Sequence, residues 1–175
     1  MTEGAVPLLT VVLGGARSGK SRYAERLIAA VPPPWVYVAT AEAGDAEMAE
    51  RIALHRQRRG KDWQTVDAPH DLAAALGAAA DAPVLVDCLT LWLSNRMLAG
   101  ADLEVETARL EAALAGRRQP VVVVSNEVGS GIVPDNALAR RFRDLQGCLN
   151  QRLAARAGRV ILMVAGMPLV VKDAS

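Results

Sequence analysis

The run Gly14-Gly15-Ala16-Arg17-Ser18-Gly19-Lys20-Ser21 fits the pattern G-x-x-x-x-G-K-[ST], and no other stretch restricts the fold of this chain so tightly. Such a loop works only between a buried strand and a helix, because loop N–H groups and the helix N-terminus must point at one phosphate. The flanks supply both: Leu8 to Leu13 reads as a strand, and Ser21 to Ala30 reads as a helix. Glycines let the backbone wrap closely around phosphate oxygens, Lys20 adds positive charge, and Ser21 offers a hydroxyl to magnesium. An ordinary glycine-rich turn would not need strand, loop and helix in that order. The run therefore implies a bound nucleoside triphosphate.

Apolar runs rich in Val, Ile and Leu recur along the chain at Leu8–Leu13, Trp35–Ala39, Val84–Val86, Val121–Val124 and Val160–Val164. Unbroken runs of that length suit strands buried on both faces of a parallel sheet. Amphipathic stretches lie between them at Arg22–Ala30, Asp45–Arg58, Asp71–Ala80, Leu103–Ala115 and Asn136–Ala157. The alternation predicts a three-layer α/β fold on a mostly parallel sheet. Ligands in such folds sit beyond the carboxyl ends of the strands, which singles out Thr40, Asp87, Ser125-Asn126-Glu127 and Gly166.

With 175 residues, 51% of them hydrophobic, the chain can bury one good core, and no Ser/Pro-rich linker marks a second. Residues 1–175 read as a single nucleotide-binding domain. Twenty basic and nineteen acidic residues leave a net charge of +1, which gives no general attraction to nucleic acid or to an anionic membrane. The apolar stretch Val160–Val171 is interrupted by Gly166 and Pro168 and is too short to span a bilayer. Glu3 stands where a signal peptide would carry basic residues, so a soluble, cytoplasmic protein is expected. Cys88 and Cys148 lack C-x-x-C spacing and read as reduced thiols of the core.

Asp87 ends an apolar strand, the arrangement that sets a carboxylate beside magnesium in phosphate-loop enzymes. It could equally accept hydrogen bonds from guanine, or merely cap the strand end. His55 shares a helix face with Met48 and Ile52, as a half-buried structural histidine would. Arg51, Arg56, Arg58 and Arg59 surround it, however, and cations disfavour the charged imidazole. A neutral imidazole is a nucleophile, and arginines nearby can hold the triphosphate it attacks. His70, between Pro69 and Asp71, reads as a helix start. Ser125 to Gly131 reads as an active-site loop, since an amide and an acid are held at the ligand edge. Asp144-Leu145-Gln146-Gly147 matches the D-x-x-G of GTPase switches but lies within a helical pattern, and no N-K-x-D occurs.

Together these segments resemble the bifunctional adenosylcobinamide kinase and adenosylcobinamide-phosphate guanylyltransferase family of cobalamin synthesis. The resemblance rests on GGARSGKS at Gly14–Ser21, VATA at Val38–Ala41, EMAERIALHRQRR at Glu47–Arg59 and Trp63-Gln64-Thr65. It continues through LVDCLTLWLSN at Leu85–Asn95, SNEVGSGIVPDNALARRFRDLQG at Ser125–Gly147, Asn150-Gln151 and the terminal VAGMPLVVK. The histidine segment and the S-N-E-V-G run make the match specific. It implies a RecA-like phosphate-loop fold, a homotrimer, and magnesium as cofactor.

The resemblance further implies two reactions. The γ-phosphoryl group of ATP or GTP passes to the aminopropanol hydroxyl of adenosylcobinamide; GMP from GTP then passes to that phosphate, with release of pyrophosphate. The family's guanylyl-carrying histidine falls on His55. GTP contacts carry over to Gly14 through Ser21, to Ala39, Thr40 and Ala41, to Arg56, Gln57, Arg58 and Arg59, and to Asp67 and Asp87, with Ser21 and Asp87 toward magnesium. Some members have glutamate in place of Asp67 or Asp87. Many carry a second histidine immediately before the nucleophile, where this chain has Leu54, and Ser130 stands where an apolar residue is usual. A kinase without guanylyl transfer, or a RecA-like ATPase module, are the alternatives.

Overall fold

The computed structural model describes residues 6–42 and 60–174. The strands are β1 (Leu9–Gly14), β2 (Trp35–Ala39), β3 (Trp63–Asp67), β4 (Val84–Asp87), β5 (Val121–Asn126), β6 (Arg159–Val164) and β7 (Met167–Asp173). The helices are α1 (Lys20–Ala29), α2 (Leu72–Ala78), α3 (Leu89–Leu98), α4 (Leu103–Ala115) and α5 (Ala137–Arg156). The sheet runs β3-β2-β4-β5-β1-β6-β7, with β7 antiparallel to β6 and every other pairing parallel.

Central strands are apolar in both directions because each face meets a helical layer. Val12, Tyr37, Leu85, Val122, Val124 and Met163 pack with Ala24, Leu27 and Ile28 of α1. Val11, Val38, Val84, Val86, Val121 and Val123 pack on the other face with residues of α2 to α5, including Leu76, Trp92, Leu110 and Leu153. The result is the expected three-layer α/β arrangement. From β1 the chain goes by α1 toward β2 on one side, whereas α5 carries it from β5 to β6 on the other. Beside β1 the connections diverge, and this is where the carboxyl ends of such sheets open a crevice.

Three elements are absent from the strands and helices read in the sequence. The edge strand β3 is polar and mostly exposed, so Gln64, Thr65 and Asp67 hide it from a search for apolar runs. α3 begins directly after β4 with no side-chain cap, and its apolar start, Leu89 to Leu93, looks like a continuation of the strand. Val160–Val171 is a hairpin, β6 and β7, turning at Ala165 and Gly166 with φ of 51° and 81°. Two successive positive φ values give a turn whose twist matches the flanking strands. Cys88 is buried, but Cys148 is exposed, which corrects the expectation that both lie in the core. Cys148 lies on α5, whose buried stripe runs through Gln146, Leu149, Asn150 and Leu153. The amphipathic stretch Asp45–Arg58 lies outside the described residues.

Candidate active site

The phosphate loop is held from two sides. Glu127 N–H donates to Gly14 O (3.1 Å), and Gly166 N–H, at the tip of the β6–β7 turn, donates to Ser18 O (3.1 Å). A Cβ on Gly14 would lie 2.5 Å from Ser18 Oγ and 2.9 Å from Met163 O, so only glycine lets the chain leave β1 this closely. Gly19 has φ of 92°, a conformation that side chains disfavour, and it leads into α1 without any side-chain cap. By contrast α2, α4 and α5 are capped by Asp71, Asp102 and Asn136. The first turn of α1 is thus built to present N–H groups to an anion. Ser18 Oγ is buried without a hydrogen-bond partner among the described residues, as a cradle for phosphate oxygens would leave it.

Lys20 is buried at 9% exposure, and its Nζ donates to Gly15 O at 2.8 Å. Burial pushes its pKa below the ordinary lysine value, while Cys88 and the Asp87 carboxylate act in the opposite direction. A desolvated ammonium beside this loop attracts phosphate strongly, because little water screens it. Ser21 follows in the first turn of α1. Gly15, Ala16 and Arg17 form the exposed outer part of the loop, with Arg17 at φ of 56°.

Strand register brings the other candidates to the same edge. Asp67 pairs with Ala39, Ala39 with Asp87, and Asp87 with Val124. Tyr37, Ala39, Leu85 and Val124 all belong to the α1-side core, so strand alternation puts Asp67 and Asp87 on that face as well. The Tyr37 hydroxyl donates to Asp87 Oδ2 at 3.0 Å and fixes the carboxylate. Tyr37 escaped the sequence reading because an aromatic inside a β run looks like ordinary core. Alternation counted back from Asp87 across the β2 pairing would have found it.

Thr40 is fully buried, and its hydroxyl donates to Cys88 O (2.6 Å) while accepting from Cys88 N–H (2.8 Å). Asn95 Nδ2 donates to Thr40 O (2.9 Å) and Pro69 O (3.2 Å), and Trp92 Nε1 donates to His70 O (3.0 Å). The Ala39-Thr40-Ala41 segment is therefore tied to the ends of β3 and β4, with Thr40 N–H also donating to Asp87 O (3.3 Å) and Ala39 O accepting from Ala68 N–H (2.8 Å). Asn95 and Trp92 lie inside the L-W-L-S-N segment, and only the packing of α3 reveals what they do. His70 precedes the Asp71 cap of α2, as the sequence implies, and its Nε2 meets Glu42 Oε1 at 2.9 Å. Asp144 to Gly147 lies within α5, in keeping with its rejection as a switch motif. His55, Arg56, Gln57, Arg58 and Arg59 fall outside the described residues.

These residues give a phosphate cradle, a buried cation and a carboxylate, all on one face of the sheet edge. Ser21 and Asp87 are the residues that could hold magnesium, since each carries a hard oxygen of the kind such an ion takes alongside substrate phosphates. The arrangement can orient a triphosphate and stabilise charge moving along it.

Comparison with known proteins agrees with this chemistry. Residues 10–171 match the model of a family described as cobinamide kinase / cobinamide phosphate guanyltransferase. The bifunctional adenosylcobalamin biosynthesis protein CobP of Pseudomonas aeruginosa is 48% identical over 166 residues, covering 93% of this chain and 96% of that protein. The bifunctional adenosylcobalamin biosynthesis protein CobU of Salmonella typhimurium is 42% identical over 182 residues, covering 94% and 100%. Its Escherichia coli counterpart is 40% identical over the same length. A solved RadB recombinase aligns at a TM-score of 0.47 with 17% identity, over 91% of this chain and 76% of that one. The family match spans the phosphate loop, Asp67, Asp87 and the Ser125–Gly131 loop alike, and this chain belongs to the cobinamide kinase / cobinamide phosphate guanyltransferase family.

Proposed function

We propose that this protein phosphorylates adenosylcobinamide with ATP or GTP and then transfers GMP from GTP onto the product, giving adenosyl-GDP-cobinamide and pyrophosphate. The observation that carries the reading is the convergence of the Gly14–Ser21 cradle, Lys20 and Asp87 on one face of the sheet edge. In the first reaction Lys20 and the loop N–H groups hold the phosphates while the γ-phosphoryl group moves. Magnesium, when bound, would neutralise phosphate charge, with Ser21 and Asp87 as its protein donors. We assign Asp87 to that role rather than to guanine recognition because it closes β4 in register with Ala39 on the α1 side of the sheet, the side onto which the phosphate loop leads. Asp67, two strands away on the same face, is then the carboxylate better placed for the nucleoside.

In the second reaction the His55 imidazole attacks the α-phosphorus of GTP, a phosphorus–nitrogen bond forms, and the α–β bridging bond breaks to release pyrophosphate. An oxygen of cobinamide phosphate then attacks the same phosphorus, and the bond to His55 breaks. Support comes from the arginines around His55 in the sequence and from the family match. The phosphoramidate linkage supplies the test. Label from α-labelled GTP should stay on the protein in alkali, leave in acid, and be absent from His55→Ala. Full labelling of that variant would show that another residue is the nucleophile.

The assembly proposed is a homotrimer acting in the cytoplasm. Exposed apolar side chains support self-association: Met167, Leu169, Val170 and Val171 along the edge strand β7, with Ile132 and Val133 in the loop before α5.

A further inference from the structure

Asn126 closes β5, and its main chain is clamped on both sides. Its N–H donates to Thr90 Oγ1 (2.8 Å) at the start of α3, and its C=O accepts from Asn150 Nδ2 (3.0 Å) on α5. Asn150 is itself fixed: its Oδ1 accepts from Ser125 Oγ (2.7 Å) and Gln146 Nε2 (3.0 Å), and Gln146 also donates to Ser125 Oγ (2.9 Å). Ser125, Gln146 and Asn150 are all buried. These bonds fix the main chain they hold, with Gln146 Oε1 alone in the Ser125–Gln146–Asn150 set left without a partner among the described residues.

The orientation it enforces is informative. Val121 and Val123 belong to the core on the α5 side, as does the Ser125 side chain through its partners, whereas Val122 and Val124 belong to the α1-side core. Alternation therefore turns Asn126 to the α1 side, the face that carries Lys20 and Asp87. Asn126 pairs in register with Gly14, the first residue of the phosphate loop, and the next N–H, of Glu127, is bonded to Gly14 O. Yet Asn126 Oδ1 is buried and meets no donor among the described residues. A buried acceptor without a donor, carried on a clamped main chain beside the phosphate loop, calls for a functional explanation. Phosphate oxygens cannot satisfy it, since they accept as well; a hydroxyl can.

We propose that Asn126 is a catalytic residue of the phosphoryl transfer, its Oδ1 accepting a hydrogen bond from the acceptor hydroxyl and aiming that oxygen at the γ-phosphorus. This assignment rests on the kinase half of the function proposed above. In the step, the hydroxyl oxygen forms a bond to the γ-phosphorus. The bond from that phosphorus to the β–γ bridging oxygen breaks, its electron pair leaving with the nucleoside diphosphate. The hydroxyl proton ends on an oxygen of the transferred phosphoryl group. An amide takes no proton; it sets direction, and a loose phosphoryl-transfer transition state depends more on alignment than on a strong base.

The test uses the full chain with adenosylcobinamide as acceptor, comparing the parent with Asn126→Ala and Asn126→Asp. Asn126→Ala should lower kcat for phosphoryl transfer about 100-fold, the loss that misplacement of a reacting group brings. Nucleotide affinity should stay within about twofold, and α-labelled GTP should still label the protein to the parental extent, because that chemistry occurs at the other end of the triphosphate. Asn126→Asp keeps an acceptor oxygen and should recover about tenfold of the loss. Parental kcat in Asn126→Ala would overturn the assignment. So would joint loss of nucleotide binding, phosphoryl transfer and labelling in a folded Asn126→Ala protein, which would mean that Asn126 serves Lys20 or the loop. Absence of phosphoryl transfer in the parent itself would overturn the kinase reading, and this assignment with it.

Discussion

Replacing Gly14 with alanine puts a methyl group 2.5 Å from Ser18 Oγ and 2.9 Å from Met163 O. The serine can rotate, but Met163 O is main chain in the β6 partner of β1, paired in register with Gly14 itself. Relief therefore requires the two strands to part by several tenths of an ångström, or the loop to tilt. Overpacking of this kind costs about 1–3 kcal/mol, which for a chain of this size lowers Tm by about 2–12 °C. Strain falling on the loop in its phosphate-binding shape also weakens GTP binding, about tenfold for each 1.4 kcal/mol. Gly15→Ala is the control, since a Cβ there has no heavy atom within 4 Å; its stability should stay within about 0.5 kcal/mol of the parent. Thermal denaturation of both variants with GTP titration by calorimetry is the assay. Equal Tm values for the two, or unchanged GTP affinity in Gly14→Ala, would refute the idea that close packing of β1 on β6 shapes the cradle.

Lys20→Ala should abolish both phosphoryl and guanylyl transfer in assays of cobinamide products, since both need the triphosphate held; near-normal rates of both would sink the shared loop. Asp87→Asn should raise the magnesium concentration needed for half-maximal phosphoryl transfer while leaving GTP-over-ATP preference alone, and a shift in nucleotide preference instead would move Asp87 to guanine recognition. Away from the site, Glu111 is buried and takes Arg152 Nε and Nη2 at 2.9 and 2.8 Å, and these bonds hold its carboxyl below the ordinary 4.5. A lowered folded-state pKa adds stability that is present above the unfolded value and disappears as pH falls through the folded one. Glu111→Gln should thus lose about 1.5–3 kcal/mol at neutral pH in urea denaturation and converge with the parent in acid.

The sequence displayed what depends on local pattern and hid what depends on pairing. The phosphate loop was legible because its residues are contiguous and its flanking strand and helix are strongly apolar. Asp87 was legible because it ends such a run. β3 was hidden because an edge strand with an exposed face needs no apolar residues. The β6–β7 hairpin was hidden because its positive-φ turn is made by Ala165 and Gly166 rather than by an Asn-Gly pair. Tyr37 and Asn95 act across 50 and 55 residues of sequence, through hydrogen bonds to Asp87 and Thr40 that register and helix packing create. The same holds for Gln146: it sits in a D-x-x-G run that misleads as a motif, and its contribution is visible only once α5 is laid against Ser125.

Two preparations of GTP, labelled separately at the α- and γ-phosphorus, give the most direct test of a single phosphate loop serving two transfers. Each is incubated with the protein, magnesium and adenosylcobinamide, and label is followed into protein and corrinoid. The account predicts γ-label in cobinamide phosphate, and α-label first on the protein in acid-labile form and then in the guanylylated corrinoid. γ-Label released only as inorganic phosphate, with α-label in neither protein nor corrinoid, would contradict it and leave a nucleotide hydrolase on the same fold.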